Sequence, residues 1–225
     1  MRWHSIGYSP PLVFGVFESA QADTFLAMLL FFFTARRYEG IKKLGLIILP
    51  TAIILLLQGV FTRTAHIPPT ISERGIWVEL HAYAGYITFA PIAISFAISV
   101  FILFCKKNNL TSIEILDEHL FRFTVIGFLF FTINIALGFY YSFRIFGRWW
   151  MWDPVNIVAV ITWLTYATII HLRLFWAWKR NDAAKLTIIA FLILLFLYKG
   201  LIFLPVGSTY HVFELGWARH GVTKQ

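Results

Sequence analysis

The chain has 225 residues, of which 59% are hydrophobic, with 24 phenylalanines, a mean hydropathy of +0.74 and a formal net charge of +8. That composition excludes a soluble domain and fits a polytopic membrane protein. The basic residues lie in short stretches between apolar runs, which is how topology is encoded rather than how phosphates are bound, so nucleic acid is excluded as a partner. The single cysteine, Cys105, excludes an internal disulfide and a Cys-x-x-Cys-His attachment site.

Taken in chain order, residues 1–11 contain one arginine and no compact apolar core before a small-residue cleavage site, so no cleavable signal peptide is expected. A spanning helix needs about 20 mostly apolar residues. Six stretches qualify: 20–38, 44–61, 81–104, 120–143, 155–176 and 186–204. The first has a short apolar part, 24–35, after Glu18 and Asp23. It reads either as a full span or as a segment that lies in the interface from Pro11 before entering the bilayer.

Eleven of the nineteen basic residues fall in three alternate connections. Arg36, Arg37, Lys42 and Lys43 follow the first span; Lys106, Lys107 and Arg122 follow the third; Arg173, Lys179, Arg180 and Lys185 follow the fifth. The positive-inside rule places these connections in the cytoplasm and both termini outside. The expected fold is an all-α, polytopic membrane helix bundle of about six transmembrane helices. It forms a single domain over 1–225, with an external segment at 144–156.

That external segment holds the most distinctive run, Gly147-Arg148-Trp149-Trp150-Met151-Trp152-Asp153-Pro154. Tryptophan favours the lipid–water boundary, but an interface anchor needs no aspartate. Trp149, Trp150 and Trp152 offer an aromatic platform for a flat, apolar cofactor. Asp153 followed by Pro154 reads as the N-cap and first position of the next helix, a capping role rather than a catalytic one.

The topology brings two histidines to the same side. His81 opens the third span and His211 follows the sixth. Two neutral imidazoles from opposite faces fill the axial positions of a haem iron. The cluster then becomes the floor of a b-type, non-covalent haem site, with Arg148 suited to a propionate. On residues alone the plainer reading stays open, in which His81, His211 and Arg148 are interface side chains. A zinc site is disfavoured because no closely spaced ligands are present. His4, His66 and His220 lie in tails or an outer loop without further support.

His171 sits late in the fifth span, where burying a charged residue costs about 2.5–3.5 kcal/mol on insertion scales, which makes it a functional candidate. His119 begins the fourth span on the same side. The two could hold a second haem; otherwise His119 is a solvated loop residue beside Asp117 and Glu118, or His171 pairs with another subunit.

The run Trp149 to Asn156, followed by Trp163, Tyr166 and His171, resembles the tryptophan-rich WWD family of cytochrome c assembly proteins, which are membrane haem handlers. Residues 161–173 are most similar to the synthetase (channel) type, and the similarity covers about 147–173. The resemblance implies an outward WWD segment that holds haem and two external histidines that ligate its iron, positions that fall on His81 and His211. It also implies a histidine in the following span, matched by His171. The chain departs from the family in being shorter than typical synthetase-type members, in its loose match around His211, and in having no clear second intramembrane histidine.

The expected function is to bind haem at the outer face of a bacterial or archaeal cytoplasmic membrane, or an organelle equivalent, and to present it for covalent attachment to apocytochrome c. Whether the chain acts as part of a haem lyase (synthetase) stays open. The alternative is a b-type cytochrome subunit that retains its haem and passes electrons in a respiratory complex. The expected partners are apocytochrome c, another membrane subunit of either complex, and the lipid bilayer.

Overall fold

Helix periodicity and apolar length decide the architecture. In a computed structural model that describes residues 16–61, 76–104, 110–176, 178 and 180–196, these stretches fold into seven helices. They are α1 (Val16–Arg37), α2 (Glu39–Lys42), α3 (Gly45–Phe61), α4 (Ile76–Phe104), α5 (Leu110–Phe146), α6 (Pro154–Phe175) and α7 (Arg180–Leu195). Three of them, over Glu79–Phe104, Ile113–Arg144 and Pro154–Phe175, are long and apolar enough to cross a membrane among the described residues; Gly45–Leu57 is a shorter apolar helix. The all-α membrane bundle expected from the sequence is therefore present, with α2 as an additional short helix in the first basic connection. Both termini lie outside the described residues, as do His4, His66, His211, His220 and Cys105.

Several helices begin earlier than the apolar runs. α4 starts at Ile76, so His81 lies in its second turn rather than at its first residue. α5 has 37 residues, about 55 Å at the usual rise, longer than a hydrocarbon core of about 30 Å. Its ends therefore extend beyond any one bilayer's apolar thickness and carry polar residues that an apolar-run reading assigns to loops.

α4 is the hub. Its residues 88–95 and 97–99 are buried, and many of them are small: Thr88, Ala90, Ala93, Ser95, Ala97 and Ser99. Small side chains let helix backbones approach closely in a membrane, where packing rather than water drives association. Their hydroxyls are spent locally: Thr88 donates to the Ala84 carbonyl and Ser99 to that of Ser95. α5 packs along α4 most extensively, with α1 and α7 also against it and α6 bridging α5 and α7.

The α4–α5 seam is antiparallel and has a regular register. A Cβ on Gly127 would collide with Ile92, and a Cβ on Gly138 would collide with the His81 ring. The two contacts are separated by eleven residues on both helices, three turns, so one face of α5 presents a glycine at both of these approaches to α4.

Two clusters divide the interior. One joins Ile41, Leu44 and Ile48 to Ile94, Ile98, Leu116, Leu120 and Ala184 at the end where α1, α4 and α6 finish. The other joins Phe89, Phe131, Tyr166, Ile169, Phe191 and Leu194 deeper in the bundle. The first cluster lies at the basic end: Arg36 and Arg37 close α1, Lys42 closes α2, Arg173 closes α6 and Arg180 opens α7. The tryptophan-bearing 147–153 connection lies at the opposite end, between the C-terminus of α5 and the N-terminus of α6.

Candidate functional site

The last turns of α5 carry the site. Gly147 ends the helix with φ of +67°, a left-handed conformation suited to glycine, and its N–H still donates to the Phe143 carbonyl. The chain then doubles back over the helix it has left. Ser142 fixes this return by donating to the Arg148 carbonyl at 2.9 Å. The re-entry into α6 is fixed by Asp153, whose carboxylate accepts from the Val155 N–H at 2.8 Å, with Pro154 at the first helical position. Asp153 is buried and acts as the helix cap that its position in the sequence implied. Asn156 adds a third tie, donating to the Met151 carbonyl at 3.1 Å.

Held at both ends, the segment arranges its rings against α5. Trp149 stacks on Phe143, with centroids 4.5 Å apart and planes 11° apart. Trp150 meets Phe139 edge-on at 5.7 Å and Trp152 edge-on at 5.5 Å. The three indoles therefore do not form one flat platform. Trp150 and Trp152 are 87° apart, a T-shaped arrangement that the ring quadrupoles favour over a shared plane. Trp152 is 83% exposed and Trp149 54%, whereas the Trp150 Nε1 is buried with no acceptor among the described residues. Arg148 is exposed at the turn.

His81 comes to the same turns of α5 from α4. Its Nδ1 lies 2.8 Å from the main-chain carbonyl of Asn134. A carbonyl only accepts, so Nδ1 carries the proton and the lone pair of the neutral ring sits on Nε2. The Asn134 side-chain amide donates to the His81 main-chain carbonyl at 2.6 Å, and the ring lies against Gly138. One turn earlier on α4, Trp77 packs edge-on against Tyr140 at 4.5 Å, and Tyr140 in turn contacts Trp149 at 6.3 Å. Asn134, Gly138, Phe139, Tyr140, Ser142 and Phe143 thus form one scaffold for both the histidine and the tryptophans. Reading the sequence for motifs missed all six. Asn134 in an otherwise apolar stretch, with a glycine four residues on, was the available signal.

The structure does not bring His119 and His171 together. The opposite end of the α5–α6 pair is fixed by Asp117 and Arg173, whose two hydrogen bonds at 2.7 and 2.8 Å make a bidentate pair, with the guanidinium also over Phe121. Side chains two residues apart on a helix point about 200° apart. With Asp117 and Arg173 facing each other, His119 and His171 face away. His119 is also not the solvated loop residue expected beside two acids. It lies within α5, is buried, donates from Nδ1 to the Ile115 carbonyl and packs edge-on against Tyr38 at 4.3 Å. The helix disposes of its acidic neighbours by rotation, turning Asp117 to Arg173 and Glu118 to Arg122. His171 is exposed on α6, its Nδ1 donating to the Ala167 carbonyl.

Among the described residues no three His, Cys, Asp or Glu side chains gather, so no metal cage made by the protein alone is found there. Haem asks for less, because its porphyrin fills the equatorial positions and the protein supplies one or two axial ligands. The residues present fit that group: an imidazole with its lone pair on Nε2, exposed aromatic faces, and a buried indole N–H in want of an acceptor.

The cytochrome C assembly protein profile matches residues 12–207. The chain belongs to the cytochrome c assembly protein family. It is similar to the cytochrome c biogenesis protein CcsA of Chlamydomonas reinhardtii, with 27% identity over 217 residues, 89% of this chain and 60% of the relative. It is also similar to CcsA of Prochlorococcus marinus strain MIT 9301, with 28% identity over 174 residues, 64% of this chain and 55% of the relative. Against strain MIT 9515 the identity is 32% over 114 residues, 51% and 35%. The matched regions span 60% or less of the length of these relatives. The apolar helices together with the family make this assembly protein an integral membrane protein.

Proposed function

We propose that this assembly protein binds b-type, non-covalent haem at the tryptophan-bearing end of its bundle, on the outer membrane face, and presents it for covalent attachment to apocytochrome c. The observation that carries the reading is His81, tautomerically set for iron by Asn134 on the same turns of α5 that hold Trp149 and Trp150. His211 is the proposed second axial ligand. Arg148, with its guanidinium at the exposed turn, is the proposed propionate partner. Trp149, Trp150 and Trp152 form a corner of aromatic walls around the porphyrin, and Asp153 serves the site by anchoring their connection to α6.

The outer-face assignment draws on the charge at the other end. Arg36, Arg37, Lys42, Arg122, Arg173 and Arg180 gather where the positive-inside rule puts the cytoplasm. The chemistry of attachment, addition of two reduced cysteine thiols across the haem vinyl groups, belongs to the haem and the Cys-x-x-Cys-His substrate. The protein's own part is to bind, orient and shield. The relatives are cytochrome c biogenesis proteins, and this reading extends that role to the present chain. The electron-transfer alternative draws no support from the family, and His119 and His171, on faces turned away from each other, lend none to a second haem shared between them. His171 on the exposed face of α6 is proposed to meet a second membrane subunit.

The test is haem binding and transfer. The purified chain is expected to take up haem with a low-spin spectrum, and His81→Ala and His211→Ala each to abolish that spectrum. Either variant retaining the full spectrum would overturn its residue as a ligand. Haem that reduces reversibly yet never becomes attached to an apocytochrome peptide, with the partner subunit present, would overturn the maturation role.

A further inference from the structure

The site described above leaves one question about His81: what selects the atom it offers and the plane of its ring. Iron-binding histidines take their tautomer and orientation from what the other nitrogen bonds to, and those outer contacts count for binding nearly as much as the ligand itself. In this chain α5 supplies the contact to Nδ1 and the wall beside the ring. The Nδ1–H of His81 donates to the Asn134 main-chain carbonyl at 2.8 Å. The Asn134 amide nitrogen lies 3.3 Å from Nδ1 but is itself a donor, so its productive bond is the 2.6 Å one to the His81 main-chain carbonyl. The residue one turn on is Gly138, where an added Cβ would fall 2.9 Å from Cε1 and 3.1 Å from Nδ1. No side chain other than hydrogen fits between the ring and α5 without moving the ring.

We propose that Asn134 and Gly138 are positioning residues for His81: together they fix its tautomer and ring plane, so that Nε2 is the atom offered to iron. The inference rests on the haem-binding reading given above. Its structural rival is that both residues serve only the α4–α5 seam. The seam itself supplies the control. Gly127 lies three turns away on the same face of α5, and a Cβ there also meets α4, at Ile92, far from any ligand. Asn134 is a second, independent handle, because replacing its side chain leaves the main-chain carbonyl in place and removes the amide that ties down the His81 backbone.

The experiment is a haem titration of the full chain in lipid nanodiscs, with optical and EPR spectra of the ferric complex, for wild type, Gly138→Ala, Gly127→Ala and Asn134→Leu. Gly138→Ala is expected to weaken haem binding about tenfold or more and to shift the low-spin g-values, because the axial ring is displaced. Asn134→Leu is expected to act in the same direction. Gly127→Ala is expected to lower thermal stability while leaving the spectrum and affinity at wild-type values. Equal effects of Gly138→Ala and Gly127→Ala on affinity and g-values would overturn the proposal in favour of plain packing. If Gly138→Ala does not fold, Asn134→Leu decides alone: wild-type spectrum and affinity in that variant would overturn it. A wild-type chain that takes up no haem overturns the function itself, and with it this inference, which is a different outcome from haem binding that ignores both substitutions.

Discussion

The two ends of the α5–α6 pair are built from similar materials and tied down differently. At the basic end, Asp117 and Arg173 satisfy each other with two short hydrogen bonds, their side chains 22% and 15% exposed, and His119 is packed under Tyr38. At the tryptophan end, two indoles stand largely exposed, a third buries an N–H without an acceptor among the described residues, and an imidazole is held in one tautomer. Each end holds a buried polar atom with no partner among the described residues, the Trp150 Nε1 at one and the His119 Nε2 and Arg180 Nε at the other, so the aromatic corner set against α5, and not an orphan atom, tells the two apart. A bidentate ion pair fixes the basic end, whereas the tryptophan end presents the exposed indoles where haem is proposed to bind. Sequence alone ranked the histidines of both ends as candidate ligands. What separates them is which way each points, and that depends on the phase of a helix rather than on composition.

The strongest way to break this contrast is to damage the ion-paired end. Arg173→Ala strands a largely buried carboxylate, and the loss should fall between that of an exposed pair and a fully buried one, about 2–4 kcal/mol. The expected result is a clear drop in the thermal midpoint with haem affinity at the other end unchanged. A loss of haem binding comparable to that of His81→Ala would show that the two ends are not separable. A smaller effect is expected from the cap of α6. Asp153→Ala removes the acceptor for the Val155 N–H and should cost about 1 kcal/mol, with Asp153→Asn recovering most of it. Because this cap also anchors the tryptophan segment, Asp153→Ala should weaken haem binding as well, which Arg173→Ala should not; identical haem titrations for the two would erase the distinction.

Much of this was legible in the residues and some was not. Among the described residues the apolar runs located each helix longer than one turn, three of them long and apolar enough to cross a membrane. The Asp153–Pro154 start of α6 was readable for the same local reason. The true starts of α4 and α5 were not, since a helix can run past its apolar core through residues such as Glu79, Asp117 and Glu118 without any change in backbone preference. Hence His119 looked like a loop residue and proved to be interior. The WWD run and His81 stood out by type, yet their scaffold on α5 did not. Phe139, Tyr140 and Phe143 are ordinary in a membrane helix until the Gly147 turn folds the tryptophans back over them. The corner geometry of the indoles likewise follows from ring electrostatics and a tight turn, neither of which is written in the spacing of Trp149, Trp150 and Trp152.

The finest test concerns one atom. Trp150 keeps its ring between Phe139 and Trp152, and its Nε1 is the polar part left without an acceptor among the described residues. Phenylalanine at this position retains an aromatic ring for both edge contacts while deleting the N–H. A buried donor left unbonded costs roughly 1–3 kcal/mol, so its removal should offset much of the packing lost with the larger ring. Trp150→Phe is therefore expected to change the thermal midpoint of the haem-free protein little, by the equivalent of under about 1 kcal/mol in either direction. With haem present the balance should reverse, because the wild-type indole then has a propionate or other oxygen to meet and the variant has nothing to offer it. Comparing haem with its dimethyl ester isolates the carboxylate: Trp150→Phe should bind haem more weakly than wild type, and the difference should shrink with the ester. Trp149→Phe is the companion variant, since Trp149 is stacked face to face on Phe143 and is already partly in solvent. It should lose affinity for haem and ester equally. If Trp150→Phe instead behaves like Trp149→Phe with both ligands, Trp150 is one more apolar wall, and polar recognition of haem at this end would fall to His81 and Arg148.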